Sequence, residues 1–151
     1  MVLSKFLVKK LKANGHLWEA AISFADSCSW EAGPFLANEM RKNKFVDWER
    51  VFVALLENEI IGFCTLTKTD CIPNVEFSPF IGFVFVKEEF RGNRFSQSLI
   101  KEATNYAKKV GFNEVFLVSA EKGLYEKYGF QKIDEKLDVY GSIQQVFCRK
   151  V

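Results

Sequence analysis

A turn rich in arginine and small polar residues, EFRGNRFSQS (residues 89–98), stands between a very apolar run and a strongly periodic helix. The first N–H groups of a helix lack internal partners, and the helix dipole places partial positive charge there. Gly92 allows the backbone to approach an anion closely, and Arg91 and Arg94 add charge and hydrogen-bond donors. The composition therefore predicts a pyrophosphate-binding turn over residues 91–97. The alternative is a plain strand-to-helix turn whose arginines are solvated.

Two other phosphate-binding motifs do not match this turn. No Gly-Lys-Ser/Thr follows it, so it is not a P-loop. The second and third glycines of the Rossmann fingerprint are also missing.

The segments on either side of the turn predict a strand, a helix and a second strand. FIGFVFVKE (residues 80–88) is nearly continuously apolar, which is typical of a strand buried on both faces. The helix ends at Gly111, and NEVFLVS (residues 113–119) is the next strand. This order makes the two strands parallel neighbours. One apolar face of the helix consists of Leu99, Ile100, Ala103, Tyr106, Ala107 and Val110.

The rest of the chain adds further helices and strands. Apolar residues at helical spacing predict helices over residues 15–25 and 31–42, and VFVALLENEIIGFCTLTKT predicts a hairpin. No linker or repeat interrupts the sequence, so we predict one mixed α/β domain over residues 1–151. The other predicted elements are a first strand at 8–11, a loop at 71–79, a short helix at 123–128, and strands at 131–137 and 143–149.

Composition limits the classes of function that the sequence supports. A net charge of +2 argues against binding to the backbone of a nucleic acid. The chain has four cysteines without a CxxC pair and one histidine, which excludes the usual zinc spacings and predicts no metal site. No apolar run has the length of a membrane span, and lysines interrupt the N-terminal segment. We therefore expect a cytoplasmic protein with reduced thiols.

Three segments in a fixed order resemble the GNAT superfamily of acyl-CoA-dependent N-acetyltransferases. FVFV (residues 83–86) followed by KEEFRGNRFSQSLI is similar to the family's central strand and its pyrophosphate loop, Arg/Gln-x-x-Gly-x-Gly/Ala. NEVFLVS is similar to the next parallel strand, and GLYEKYGF (residues 123–130) to the Leu-Tyr-x-x-x-Gly-Phe signature. Together the segments cover about a third of the chain, and their order makes the resemblance more specific than any one of them.

The resemblance implies a fold, a cofactor and a set of site residues. The fold is a central, twisted, mostly antiparallel sheet with a parallel pair at the cofactor site, flanked by helices, and the cofactor is acetyl-CoA. Ser119 would make polar contacts to the cofactor, and Tyr125 would protonate the departing thiolate. The pantetheine arm would pair with the main chain of Val84, Phe85 and Val86. The pyrophosphate would be held by amides of Arg91, Gly92, Asn93, Arg94, Phe95, Ser96 and Gln97.

The sequence departs from the family pattern at four positions. Arg94 stands where glycine is usual, so its side chain must point outward, and Ser96 replaces Gly or Ala. Val118 stands where an asparagine is frequent, and Phe80 where many members carry a glutamate. The general base is therefore unidentified.

Three carboxylates lie near the predicted site in the sequence, namely those of Asp70, Glu76 and Glu88. We expect each to be a solvated surface charge. A water-mediated proton path without a dedicated base is the alternative. Trp30 is expected to pack, or to line a substrate pocket as residues of the first two helices do in this family.

The leading hypothesis is transfer of acetyl from acetyl-CoA to a primary amine, by direct attack in a ternary complex. A small-molecule acceptor is slightly favoured over a peptide. The alternatives are a non-catalytic acyl-CoA-binding sensor and a structural interaction domain. Exposed sheet edges are compatible with a homodimer.

Overall fold

A seven-stranded sheet forms the centre of the protein, which a computed structural model describes over residues 5–151. Residues 1–4, the start of the N-terminal segment considered above, lie outside the described part. The strands are β1 (Phe6–Leu11), β2 (Arg50–Leu56), β3 (Glu59–Thr67), β4 (Phe80–Val86), β5 (Glu114–Ser119), β6 (Gln131–Leu137) and β7 (Ile143–Lys150). The helices are α1 (His16–Ser27), α2 (Gly33–Arg41), α3 (Phe95–Val110) and α4 (Leu124–Lys127), with a 3₁₀ turn at Glu88–Phe90.

The strand order is β1-β2-β3-β4-β5-β7-β6. Every pair of neighbours is antiparallel except β4 and β5, which the helix α3 connects in the manner of a crossover. The prediction of a mostly antiparallel sheet with one parallel pair is confirmed.

Helix α3 covers one face of the sheet. Its buried side chains Leu99, Ile100 and Ala103 pack with residues such as Phe52 and Ile81 that point to the same face. The helix ends where the sequence predicts, because Gly111 adopts a positive φ of 117° and donates its amide to the carbonyl of Ala107. This packing holds the N-terminus of α3 beside the end of β4.

Helices α1 and α2 cover the opposite face. Trp18, Leu36 and Met40 pack there against strand residues that include Val53 and Phe63. The two faces follow from the alternation of side chains along each strand. Both faces of β4 are therefore covered, as its apolar sequence predicts.

Several boundaries differ from the predicted ones by a few residues. The first strand begins at Phe6, earlier than the predicted residue 8. Helix α2 begins at Gly33, later than predicted, because Pro34 occupies the start of the helix, where its missing N–H costs nothing. The predicted hairpin is formed by β2 and β3, with positive φ at Glu57 and Asn58 in its turn.

None of the helices in residues 5–151 is both long and apolar enough to cross a membrane. Over the same residues, the histidine, cysteine and carboxylate side chains form no group of three or more that could bind a metal ion.

Candidate functional site

The strands β4 and β5 separate and open a cleft. Their parallel pairing consists of only two rungs, Phe80 with Phe116 and Ile81 with Leu117. From Gly82 onward, β4 has no rung to β5, so its main-chain groups on that edge face the cleft. The cleft is a cavity of about 930 Å³, within the range of about 300–1,000 Å³ that is typical of ligand sites.

A bulge in β4 lies at the mouth of the cleft. On β3, Phe63 pairs with Phe85 and Thr65 with Gly82, so two residues of β4 lie opposite Cys64. Phe83, one of the two, has a positive φ of 48°, which for a non-glycine residue costs about 1–3 kcal/mol. Bulges bend a strand and redirect its polar groups. This bulge does so at the point where β4 leaves β5.

The N-terminus of α3 forms an anion nest at the other end of the cleft. Gly92 has a φ of 87°, and Arg94, which caps the helix, is left-handed with φ 62° and ψ 24°. In the described part of the chain, the amides of residues 92–94 donate to no other backbone group. A side chain at Gly92 would meet no atom within 4 Å, so the space above it is open. Successive free amides around such turns bind anions.

Arg91 points back toward β4 instead of into the nest. Its amide donates to the Glu88 carbonyl at 3.2 Å, and its Nε donates to the Val86 carbonyl at 2.8 Å. Its guanidinium lies 5.5 Å from the centre of the Phe85 ring. Arg91 therefore ties the loop to the strand, and its own amide is engaged within the protein.

Arg94 and Ser96 depart from the family pattern in different ways. The Arg94 side chain is exposed, as predicted, and forms no ion pair with any described residue. Its backbone adopts the conformation for which glycine is best suited. The Ser96 hydroxyl forms a hydrogen bond of 2.8 Å with the Tyr128 hydroxyl and so connects α3 to the end of α4.

Tyr125 lies in the wall of the cleft with only 6% of its surface exposed. Burial, followed by the charge of Glu121, raises the pKa of Tyr125 to about 12, although Ser119 acts in the opposite direction. The phenol is therefore protonated at neutral pH. Ser119, at the end of β5, also lines the cleft, and its hydroxyl accepts a hydrogen bond from the Glu121 amide at 3.0 Å.

Aromatic side chains form the wall on the α1/α2 side. Trp30, in the connection between the two helices, stacks on Phe85 with 5.9 Å between ring centres and an angle of 5°. Its ring also meets Phe83 edge-on at 6.2 Å. The neighbouring Ser29 hydroxyl donates to the Glu88 carboxylate, so the connection is held against the end of β4.

The expectation of three solvated carboxylates is wrong for Asp70. Glu76 is exposed, and Glu88 is half exposed beside Arg91. Part of the Asp70 residue is also exposed, but burial of its carboxyl group raises its pKa. A side chain at Gly82 would lie 2.7 Å from Asp70 Oδ2. A glycine inside a strand often marks a place where another group approaches the backbone closely. Gly82 was therefore the feature of the sequence that could have indicated a buried neighbour at this position.

The cleft brings most of the predicted site residues together. Asn93 and Gln97 do not line it directly, although Asn93 belongs to the loop and its side chain donates to the Phe90 carbonyl at 3.1 Å. Phe80 is fully buried under the sheet, in a cluster with Phe116 and Val146. The predicted site residues that line the cleft are Val84, Phe85, Val86, Arg91, Gly92, Arg94, Phe95, Ser96, Ser119 and Tyr125.

Comparison with known families gives one match. Residues 47–132 match the model of the acetyltransferase (GNAT) domain, which is more than half of the chain. No curated protein sequence matches the chain.

Solved structures with the same fold are numerous, at low sequence identity. A GNAT family acetyltransferase from Elizabethkingia anophelis with acetyl-CoA bound is 16% identical, with 97% of this chain and 98% of that chain covered and a TM-score of 0.66. A GNAT family acetyltransferase from Streptococcus pneumoniae is 15% identical, with 97% and 99% covered and a TM-score of 0.71. Aminoglycoside 6'-acetyltransferase type Ii is also 15% identical, with 95% and 96% covered and a TM-score of 0.74.

Proposed function

Since this chain belongs to the GNAT acetyltransferase family, we propose that it is an N-acetyltransferase that transfers acetyl from acetyl-CoA to a primary amine by direct attack in a ternary complex. The observation that carries the proposal is the cleft, which joins an unpaired strand edge to an anion nest. Residues 1–151 act as a single domain in this proposal, in keeping with the nearly full coverage of both chains in the structural comparisons.

The nest fits the pyrophosphate of the cofactor. The amides of residues 92–97 supply donors, because those of residues 92–94 have no backbone acceptor among residues 5–151 and residues 95–97 form the first turn of α3. Arg94, which forms no ion pair within residues 5–151, adds a cation beside them. Arg91 contributes by holding the loop against Val86, and not by its amide.

The free edge of β4 fits the pantetheine arm. Extended ligands bind unpaired strand edges through main-chain hydrogen bonds. When bound, acetyl-CoA supplies an acetyl thioester, which is an acyl group activated for attack by an amine. Amides at the β4 bulge, among Val84, Phe85 and Val86, then serve to stabilise negative charge on the carbonyl oxygen.

Tyr125 is assigned the role of proton donor to the departing sulfur. Its hydroxyl is held in the wall of the cleft, and its pKa of about 12 keeps it protonated at neutral pH. Ser119 lies beside it and adds a polar contact for the cofactor.

The acceptor is proposed to be a small-molecule amine rather than a peptide. The aromatic wall at Trp30 and Phe83 suits an acceptor with an apolar surface. The name of one structural neighbour, an aminoglycoside acetyltransferase, is consistent with a small acceptor, although the likeness is one of fold.

We also propose that the protein is cytoplasmic and that it forms a homodimer. All four cysteines are free, which suits a reducing cytoplasm. A homodimer could form at the edge strand β6, where Ile133 and Leu137 are about half exposed. Sedimentation at a single monomer mass over a wide concentration range would refute the dimer.

The alternative is a non-catalytic sensor of acyl-CoA. The observation in its favour is Phe80, which is fully buried at the position where the family often has a glutamate. Saturable acetyl-CoA binding without transfer to any amine in a broad panel would support the sensor.

Thermal unfolding with increasing acetyl-CoA tests the proposal first, with adenosine as the control ligand. A ligand at 100 times its dissociation constant adds about 2.7 kcal/mol to the free energy of unfolding. For a chain of this size, that raises the Tm by several degrees. Release of CoA thiol in the presence of the amine panel then separates the enzyme from the sensor. If acetyl-CoA does not raise the Tm, the enzyme and the sensor are both contradicted.

A further inference from the structure

The carboxylate of Asp70 fills the side-chain space of Gly82 on the strand that lines the cleft. A Cβ at Gly82 would lie 2.7 Å from Asp70 Oδ2 and 3.4 Å from Thr65 Oγ1. Gly82 itself lines the cleft and directly precedes the bulge residue Phe83. Asp70 and Thr65 do not line the cleft themselves but contact it through Gly82, so a carboxylate from the loop between β3 and β4 reaches β4 beside the point where the cleft opens.

The Thr65 hydroxyl beside this carboxylate lacks a partner. Thr65 is 1% exposed, and within residues 5–151 its Oγ1 makes no hydrogen bond. Leaving a buried polar group unpaired costs about 1–3 kcal/mol, and such groups are commonly satisfied by a ligand or a water. Asp70 Oδ2 occupies the place of a side chain at Gly82, and the Thr65 hydroxyl borders the same place, so an amine that approaches Gly82 from the cleft would meet both polar groups.

Within the described part of the chain, Asp70 lacks an ion-pair partner. The titratable groups near it are Cys71, whose amide donates to Asp70 Oδ1 at 2.6 Å, and Glu39 of α2. Burial first, and then Asp70, raises the pKa of Cys71 to about 12, and burial also raises the pKa of Glu39.

The charges one step further away are mixed. The charge of Asp138 raises the pKa of Cys71. For Glu39, the charge of Lys44 lowers the pKa and that of Glu49 raises it. The immediate surroundings of Asp70 are therefore acidic or neutral, and they favour the binding of a positively charged ammonium group.

We propose that Asp70 is the proton acceptor for the amine, placed by the loop between β3 and β4 in the space that Gly82 leaves on β4. This inference rests on the proposed N-acetyltransferase function. It supplies the base that Phe80 cannot provide, because Phe80 is an apolar residue buried in the core. The raised pKa of Asp70 brings this carboxyl closer to neutral pH, which suits general-base catalysis.

An N–H bond of the acceptor ammonium breaks, its proton passes to Asp70, and the electron pair on nitrogen forms the C–N bond at the acetyl carbon. The C–S bond breaks with its pair on sulfur, which takes the proton of the Tyr125 hydroxyl. The second nitrogen proton returns through water to Tyr125, and Asp70 releases its proton to solvent. One net proton is released for each acetyl group transferred.

The first test needs no identified acceptor. The full chain is labelled with ¹³C at its aspartate carboxyl carbons, and the Asp70 resonance is assigned by its loss in Asp70→Asn. It is then titrated with pH in saturating CoA, once with methylammonium chloride and once with sodium chloride at equal ionic strength.

The expected result is a midpoint above the usual value of about 3.9 in sodium chloride, and a lower midpoint in methylammonium. The lowering should saturate with methylammonium concentration, because a bound cation stabilises the carboxylate. Equal midpoints in the two salts would overturn the proposal, since Asp70 would then not face the amine.

The second test compares Asp70→Asn with Glu76→Gln, a matched change at an exposed carboxylate of the same loop. With the panel amine that gives the fastest release of CoA thiol, Asp70→Asn should lower kcat/KM by about 10²–10⁴-fold. The decrease of kcat/KM toward low pH, which is the acidic limb of its pH profile, should also disappear. Glu76→Gln should retain both the rate and the limb.

The outcome separates this inference from the proposed function. An Asp70→Asn variant with full turnover and an unchanged acidic limb would overturn the role of Asp70 and leave the acetyltransferase in place. If acetyl-CoA fails to raise the Tm of the wild type, the proposed function itself fails. Equal stabilisation of wild type and Asp70→Asn by acetyl-CoA, together with lost turnover, is the result that the proposal expects.

Discussion

At the scale of single residues, the candidate site contains two non-glycine residues with left-handed backbones. Phe83 has a φ of 48° at the strand bulge, and Arg94 has a φ of 62° at the start of α3. Each such conformation costs on the order of 1–3 kcal/mol and persists only where the surrounding structure imposes it. Both lie at positions that border the cleft. The two strained residues therefore coincide with the two features that we assign to cofactor binding.

Tyr125→Phe removes the proposed proton donor and keeps the ring that packs against Phe147. We expect turnover to fall by about 10²–10⁴-fold, which is the usual contribution of a general acid. The dissociation constant of acetyl-CoA should remain near the wild-type value. Steady-state kinetics and a binding titration provide the two measurements.

The control for this variant is Tyr106→Phe, a tyrosine on α3 that packs against Phe52 outside the cleft. It should retain wild-type turnover. Unchanged turnover in Tyr125→Phe would remove the tyrosine from the mechanism.

Gly92→Asp tests the anion nest by charge alone. Asp and Asn both tolerate positive φ better than other side chains, and the space above Gly92 is open. The aspartate places a negative charge beside the proposed pyrophosphate. We therefore expect acetyl-CoA affinity to fall by at least tenfold, or about 1.4 kcal/mol.

Gly92→Asn is the matched control, since it has nearly the same shape without the charge. It should bind acetyl-CoA much more tightly than Gly92→Asp in a calorimetric titration. Equal affinities for the two variants would argue against an anion at this position.

At the scale of elements, α3 connects the hydrophobic core to the nest. Leu99 is fully buried five residues after the cap at Arg94, and the helix therefore cannot shift without disturbing the core. A nest built at the start of a packed helix is held in place before any ligand arrives. Such preorganisation reduces the entropy lost on binding.

Leu99→Ala should lower the free energy of unfolding by about 2–5 kcal/mol, because it leaves a cavity under the sheet. Val110→Ala on the same helix is the control, since Val110 is 38% exposed and the change should cost about 0.5 kcal/mol or less. Denaturant titrations of both variants measure the difference. Similar losses for both would show that the helix is not anchored at Leu99.

The loop between β3 and β4 illustrates what the sequence could not reveal about an element. Its composition predicts a loop over residues 71–79, and the structure confirms an irregular connection there. Asp70, at the edge of that loop, was expected to be solvated because most aspartates are. Its position against Gly82 depends on how the loop folds over β4, which no local pattern encodes.

At the scale of the whole molecule, Asp70 links stability to pH. Burial raises the pKa of Asp70 in the folded state above its unfolded value of about 3.9. The folded state therefore binds the proton more tightly, and this contribution to stability is complete below the unfolded pKa. It is lost as pH rises through the folded pKa.

Asp70→Asn should consequently be more stable than the wild type at pH 7, while the difference shrinks toward pH about 4. The asparagine can still accept the Cys71 amide through its own oxygen. Thermal unfolding across this pH range measures the difference, with Glu76→Gln, at an exposed carboxylate of the same loop, as the control. A variant that is less stable than the wild type at pH 7 would indicate that Asp70 stabilises the fold as an anion.

Features that depend on neighbours along the chain could be predicted from the amino-acid sequence. These include the helical face of α3, its end at Gly111, the hairpin of β2 and β3, and the polar turn before α3. The order of three motifs also identified the family, which the match over residues 47–132 confirms. Local propensity and periodicity act over a few residues, so a linear pattern is sufficient for them.

Features that depend on strand register and packing could be seen only in the folded protein. The separation of β4 from β5 after two rungs, the return of Arg91 to Val86 and the position of Asp70 beside Gly82 all join residues through the folded sheet. A bulge of one residue in β4 shifts which groups face the cleft, and no sequence pattern near it specifies that shift. The polar turn before α3, which we propose to bind the pyrophosphate, could therefore be located from the sequence, whereas the base that we propose could be located only in the folded protein.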